Sequence, residues 1–160
     1  MTDVGAVPTL RAVFRAEIEG HRALLDVLMS EQEALRTAHP EAVALAASSK
    51  LRHIGELEAL ARQRTELVMT MNIVLTSTHV DAATLDAPVL AQLRSDWADL
   101  RAIAAKAQQA NALNGRLIAR HQRHCESALS AILLAAGRSP VYGANGRPER
   151  AAVTRTLAAI

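Results

Sequence analysis

The chain is poor in aromatic residues, cysteine and lysine, and it has no long apolar run. Only Phe14, Trp97 and Tyr142 are aromatic among its 160 residues. So few rings exclude most all-β architectures, which rely on aromatic and β-branched side chains to fill a pleated surface. Cys125 is the single cysteine, so no internal disulfide can form. No uncharged apolar stretch reaches the roughly 18 residues needed to cross a bilayer. The first twelve residues lack the basic-then-apolar order of a signal peptide, since Asp3 precedes Arg11. A cytoplasmic protein is the expectation, without membrane insertion.

Lysine occurs twice against 16 arginines, and the net charge is only +2. The isoelectric point near 9.2 therefore reflects a small, dispersed surplus. Its densest cluster is Arg116, Arg120 and Arg123, too modest for a nucleic-acid interface. What abounds is alanine and leucine, 33 and 21 residues respectively. With so low a net charge, that composition excludes disorder and describes long helices. The fold class is all-α.

Apolar spacing divides the chain into three helices and a tail. The first seam reads Leu10, Phe14, Glu17, His21, Leu24, Leu28, Glu31, Leu35, in alternating steps of four and three. Gly20 weakens that helix by roughly 1 kcal/mol against alanine. His39-Pro40 ends it, because proline disfavours helix in the residue before it. The second seam runs Val43, Ala47, Lys50, Ile54, Leu57, Ala61, Arg64, Val68, Met71, Leu75, and residues 76–86 read as a loop. The third and longest begins at Leu90 and passes through Trp97, Leu100, Asn111, Asn114, Ile118, His121, Cys125 and Ile132, with Gly137 as its C-cap. The expected helices are 9–38, 40–75 and 87–136. They form an elongated antiparallel three-helix bundle or coiled coil over residues 1–137, with a flexible tail over 138–160.

Short links make neighbouring helices antiparallel, which places the polar seam residues against one another. Folding back at residues 39 and 40 brings Lys50 near Glu31 and Arg64 near Glu17. Folding back again between 75 and 88 brings Lys50 beside Asn111 and Asn114. Two polar layers are expected, Glu31–Lys50–Asn111–Asn114 and Glu17–Arg64. Such layers fix register, because any slip buries a polar group against hydrocarbon. The same counting leaves the last turns of helix three, from about residue 123, without a facing partner. Yet that stretch is apolar, with Cys125, Ala128, Leu129, Ile132 and Leu133 on it. An apolar helix end lacking an intrachain partner is a binding surface for another helix.

Other chemistry finds little support. His121, His124 and Cys125 have helical ligand spacing but no fourth donor, so no metal is expected. No glycine-rich phosphate loop occurs, since Gly143 and Gly146 sit in a turn. No activated nucleophile can be placed around Cys125. Neither an enzyme nor a cofactor is expected.

Several of these residues together resemble a known family. Trp97 with Leu100, the run Asn111-Ala-Leu-Asn114-Gly115, Leu117-Ile118 and the turn Tyr142-Gly143-Ala144-Asn145-Gly146 are similar to the FlgN pattern, as are Lys50, Leu51, Leu57 and Arg64. The resemblance covers roughly residues 10–147. The chain departs from it in the tail after Gly146 and in lacking a marked basic or glycine-rich end. The resemblance implies a flagellar type III export chaperone. Such a protein holds the C-terminal helices of the hook-filament junction proteins (hook-associated proteins 1 and 3) and delivers them to the cytosolic domain of the export gate. It also implies that cargo binds toward the C-terminal end and that Tyr142, with Gly143, docks at the gate. A structural homodimeric coiled coil is the alternative, with the overrunning helix as its seam.

Overall fold

The computed structural model describes residues 6–76, 79–83 and 85–136, and the backbone of 141–142 and 148–149. Three helices dominate: α1 (Ala6–Arg36), α2 (Pro40–Thr70) and α3 (Ala87–Ala135). A two-residue antiparallel ribbon, β1 (Val74–Leu75) with β2 (Val80–Asp81), lies between α2 and α3. A second ribbon pairs β3 (Val141–Tyr142) with β4 (Pro148–Glu149). By compactness the chain divides into two units, residues 1–117 and 118–160. The boundary between them falls within α3.

The ends of α1 and α2 both use residues in the left-handed region. Ala38 has φ 52°, and the following His39 N–H donates to Ala34 O at 3.0 Å. This closes α1 two residues earlier than the spacing suggests. Pro40 then opens α2, where its missing N–H costs no helical hydrogen bond. At the far end, Asn72 also has φ 52°, and Ile73 N–H donates to Val68 O at 3.0 Å. Asparagine tolerates that conformation better than other residues with a Cβ. The helix therefore stops at Thr70, not at 75. The residues freed by this early stop build the first ribbon, where a plain loop was expected. Ile73, Val80 and Ala82 are buried there.

The first unit holds two apolar clusters. One joins Leu10 and Phe14 of α1 to Met71, Ile73, Val80, Ala82 and to Leu93 and Leu100 of α3. The other joins Leu24 and Leu28 of α1, Leu57 of α2 and Ala107 of α3. Pairs along the helices give their directions. Arg11 meets Asp96 at 2.7 Å and Glu31 meets Asn114 at 2.9 Å, so α1 and α3 run the same way. Lys50 meets Glu31 and Arg64 meets Glu17, so α2 runs against α1.

Gly20 has a packing reason to be small. A Cβ there would lie 2.9 Å from Leu57 Cδ2, inside van der Waals contact with a buried side chain. Helix propensity favours replacing the glycine, but by less than 1 kcal/mol for valine. Overpacking costs about 1–3 kcal/mol. Gly20→Val should therefore lower unfolding free energy by about 2 kcal/mol, seen as a lower urea midpoint at an unchanged m-value. A midpoint that rises would mean that α1 and α2 are farther apart here than this contact requires.

Candidate functional site

The polar layer near the hairpin of α1 and α2 is centred on Glu31, which is only 1% exposed. Its Oε1 accepts from Lys50 Nζ at 2.6 Å and its Oε2 from Asn114 Nδ2 at 2.9 Å. The same Asn114 amide donates to Leu28 O at 2.7 Å. One carboxylate thus ties α1, α2 and α3 together. Asn111 corrects the expected layer: it is exposed. The two Glu31 oxygens are held by Lys50 and Asn114 without it.

The second layer pairs Glu17 Oε2 with Arg64 Nη1 at 2.8 Å. Arg64 also lies over the ring of Trp97, 5.1 Å from its centroid, and Trp97 packs against Phe14 at 5.9 Å. Trp97 Nε1 donates to Thr76 O at 2.9 Å, and Arg94 Nε donates to Val80 O at 2.8 Å. These two bonds fasten the first ribbon to α3. Counting seams does not reveal them, because both acceptors are backbone carbonyls outside any helix.

Among the described residues, Glu17 Oε1, His21 Nδ1 and Asn114 Oδ1 are buried without a partner. Burial raises the Glu17 carboxyl above its ordinary value, against the attraction of Arg64. Burial, and then the Arg64 charge, push the His21 imidazole down. The two act on stability in opposite senses. The contribution of His21 is present above its ordinary 6.5 and is lost as pH falls through its lower folded value. That of Glu17 is complete below 4.5 and is lost as pH rises through its raised folded value.

Beyond Asn114 the burial pattern changes. No described residue after 114 is buried, although α3 continues to Ala135. Leu93, Leu100, Ala107 and Asn114, spaced by sevens, face the core. Continued in the same heptad register, that face carries Ile118, His121, Cys125, Ala128 and Ile132, with Leu129 flanking it. Leu129 is 58% and Ile132 65% exposed, Cys125 and Ala128 are exposed, and Leu133 is half-buried. His121 and His124 are exposed on the same stretch, and no group of three metal-binding side chains comes together among the described residues. Tyr142 pairs through its backbone with Pro148 in the second ribbon. Its side chain and all of Gly143 lie outside the described residues.

A helical bundle pinned by buried ion pairs, with an apolar helix end left open, has the features of a protein that holds another helix. The comparison with known families makes this specific. The FlgN protein family matches residues 1–150, and the chain belongs to it. It is thus a chaperone of flagellar protein export, a class that binds export substrates and is not known for enzymatic activity. No curated protein and no solved structure matches the chain. Among the described residues no helix is long and apolar enough to cross a membrane.

Two predictions test the layers. Glu31→Leu leaves the Lys50 ammonium without its acceptor and the Asn114 amide with Leu28 O alone, a loss of about 3 kcal/mol. Adding Lys50→Met should restore part of it, because the uncompensated charge is gone. Urea unfolding of the two variants checks both, and a double variant less stable than the single would exclude the pairing as the cause. For the second layer, His21→Gln should flatten the decline in melting temperature between about pH 7 and pH 5.5. Parallel pH profiles for the two proteins would show that His21 titrates alike folded and unfolded.

Proposed function

We propose that this chaperone binds the C-terminal helices of hook-filament junction proteins, hook-associated proteins 1 and 3, along Cys125, Ala128, Leu129, Ile132 and Leu133. Holding those helices prevents premature assembly in the cytoplasm. The carrying observation is the exposure of Ile132, and of Leu129 flanking it, on the face of α3 that is core-forming before residue 114. An amphipathic cargo helix would continue there the packing that α1 and α2 supply earlier in the helix. Delivery to the cytosolic domain of the export gate uses the Tyr142-Gly143 turn, a reading that rests on the likeness of this turn to the family pattern.

Burying one such side chain contributes roughly 1.5–3 kcal/mol. Replacing two with charges, Leu129→Asp with Ile132→Asp, should weaken binding of a cargo C-terminal peptide at least about a hundredfold in calorimetric titration. The melting temperature should hardly move, because neither residue belongs to the apolar clusters of the first unit. Unchanged affinity would place cargo elsewhere, and a collapsed melting temperature would make the stripe part of the core. A tight dimer without cargo, lost in the same variant, would favour the homodimeric coiled coil instead. Tyr142→Ala should reduce secretion of cargo while leaving its binding intact. Loss of both would assign Tyr142 to structure or to cargo.

A further inference from the structure

α3 differs on the two sides of Asn114. Up to that residue its core face is buried at Leu93, Leu100 and Ala107, and Asn114 itself is tied to α1 through Leu28 O and Glu31. From Gly115 to Ala135 no described residue is buried. Packing of an amphipathic face supplies most of a helix's stability in a protein, so this stretch rests largely on its own propensity. Its first turns are poor in that respect. Glycine is the weakest helix former after proline, and a Cβ at Gly115 would meet nothing within 4 Å. Packing therefore does not ask for a glycine there, in contrast to Gly20. Arg116, Arg120 and Arg123 follow at steps of four and three, all exposed, about 120–180° around the helix from Asn114. Like charges at those spacings repel along a helix. No acidic residue lies between Asp99 and Glu126 to offset them.

We propose that α3 unwinds locally from Ala135 back to Gly115, that Asn114 is where unwinding stops, and that a bound partner helix winds it again. The last step rests on the reading of the stripe as the cargo site; the first two do not. Opening the turns beyond Asn114 uncovers no buried side chain, whereas opening at Asn114 takes a donor from the buried Glu31 carboxylate. A partner that needs the wound helix has its apparent affinity reduced to the wound fraction. Gly115 and the three arginines thus keep the complex looser than its apolar area alone would make it, which favours release.

Amide hydrogen exchange on the full-length chain tests this. Corrected for intrinsic rates, the amides of Ile118 to Leu134 should exchange at least about a hundredfold faster than those of Leu100 to Asn114. Gly115→Ala should slow exchange just beyond it, from Ile118 to His121, by about fivefold. Arg120→Glu, which turns two repulsions into attractions, should slow the same amides at least about twofold. Neither change should alter Leu100 to Asn114. Equal protection on the two sides of Asn114, or a Gly115→Ala chain that exchanges like the parent, would overturn the unwinding. A synthetic peptide of the C-terminal helix of hook-associated protein 1 probes the last step. At saturation it should slow exchange from Cys125 to Leu133, and it should bind Gly115→Ala more tightly, by up to about fivefold. A peptide that fails to bind, or binds without protecting these amides, would remove the rewinding step and the cargo reading with it. The unwinding is judged on the free chain alone.

Discussion

The architecture of the first unit depends on one carboxylate placed where carboxylates are expensive. Glu31 is buried on all sides, and an unpaired charge there would cost several kcal/mol. It is tolerable only while Lys50 from α2 and Asn114 from α3 reach it together. Leucine at the same position would pack in several neighbouring registers with nearly equal energy. Glu31 accepts only one, because a slip by a single heptad carries both donors about 10 Å away. The alanines nearby could not impose this choice, since small apolar residues slide past one another at little cost.

The other end of the unit solves the same problem with different chemistry. There Trp97 lies between Phe14 and the Arg64 guanidinium, and its indole N–H reaches the backbone at Thr76. The ring contributes apolar area to the core and a donor to the ribbon, which is why so few aromatics suffice. Arg64 serves twice, facing the ring and pairing with Glu17. That shared use of one cation explains why Glu17 and His21, one turn apart, both respond to it.

Heptad counting made the helices and the two ion pairs legible, because Pro40 fixes where the chain folds back and every later position follows. It could not choose between Asn111 and Asn114. Three residues along a helix are only about 60° apart around its axis, within the uncertainty of any seam. The ribbon after α2 was illegible for a different reason. Ile73, Val74 and Leu75 continue the apolar pattern, and a short apolar run does not distinguish helix from strand. The deciding residue is Asn72, whose left-handed conformation ends the helix before that run begins. The stripe on α3 was readable as an excess of helix, 49 residues against 31 in α1 and in α2. Nothing in the spacing gives its exposure.

An export chaperone must hold its substrate and also release it, and the stripe proposed as the cargo site has the dimensions for both. Three apolar side chains of the size of Leu129, Ile132 and Leu133 contribute roughly 5–9 kcal/mol when fully buried. Association alone costs about 4–15 kcal/mol in lost translational and rotational freedom. As the proposed cargo site, the stripe by itself would hold a single helix only weakly, and a longer-lived complex would need contacts the partner brings to other surfaces. A deeper groove would bind more firmly at the expense of release. A helix face with no wall beside it among the described residues would let a partner helix peel away turn by turn, without any rearrangement of the clusters that keep the first unit folded.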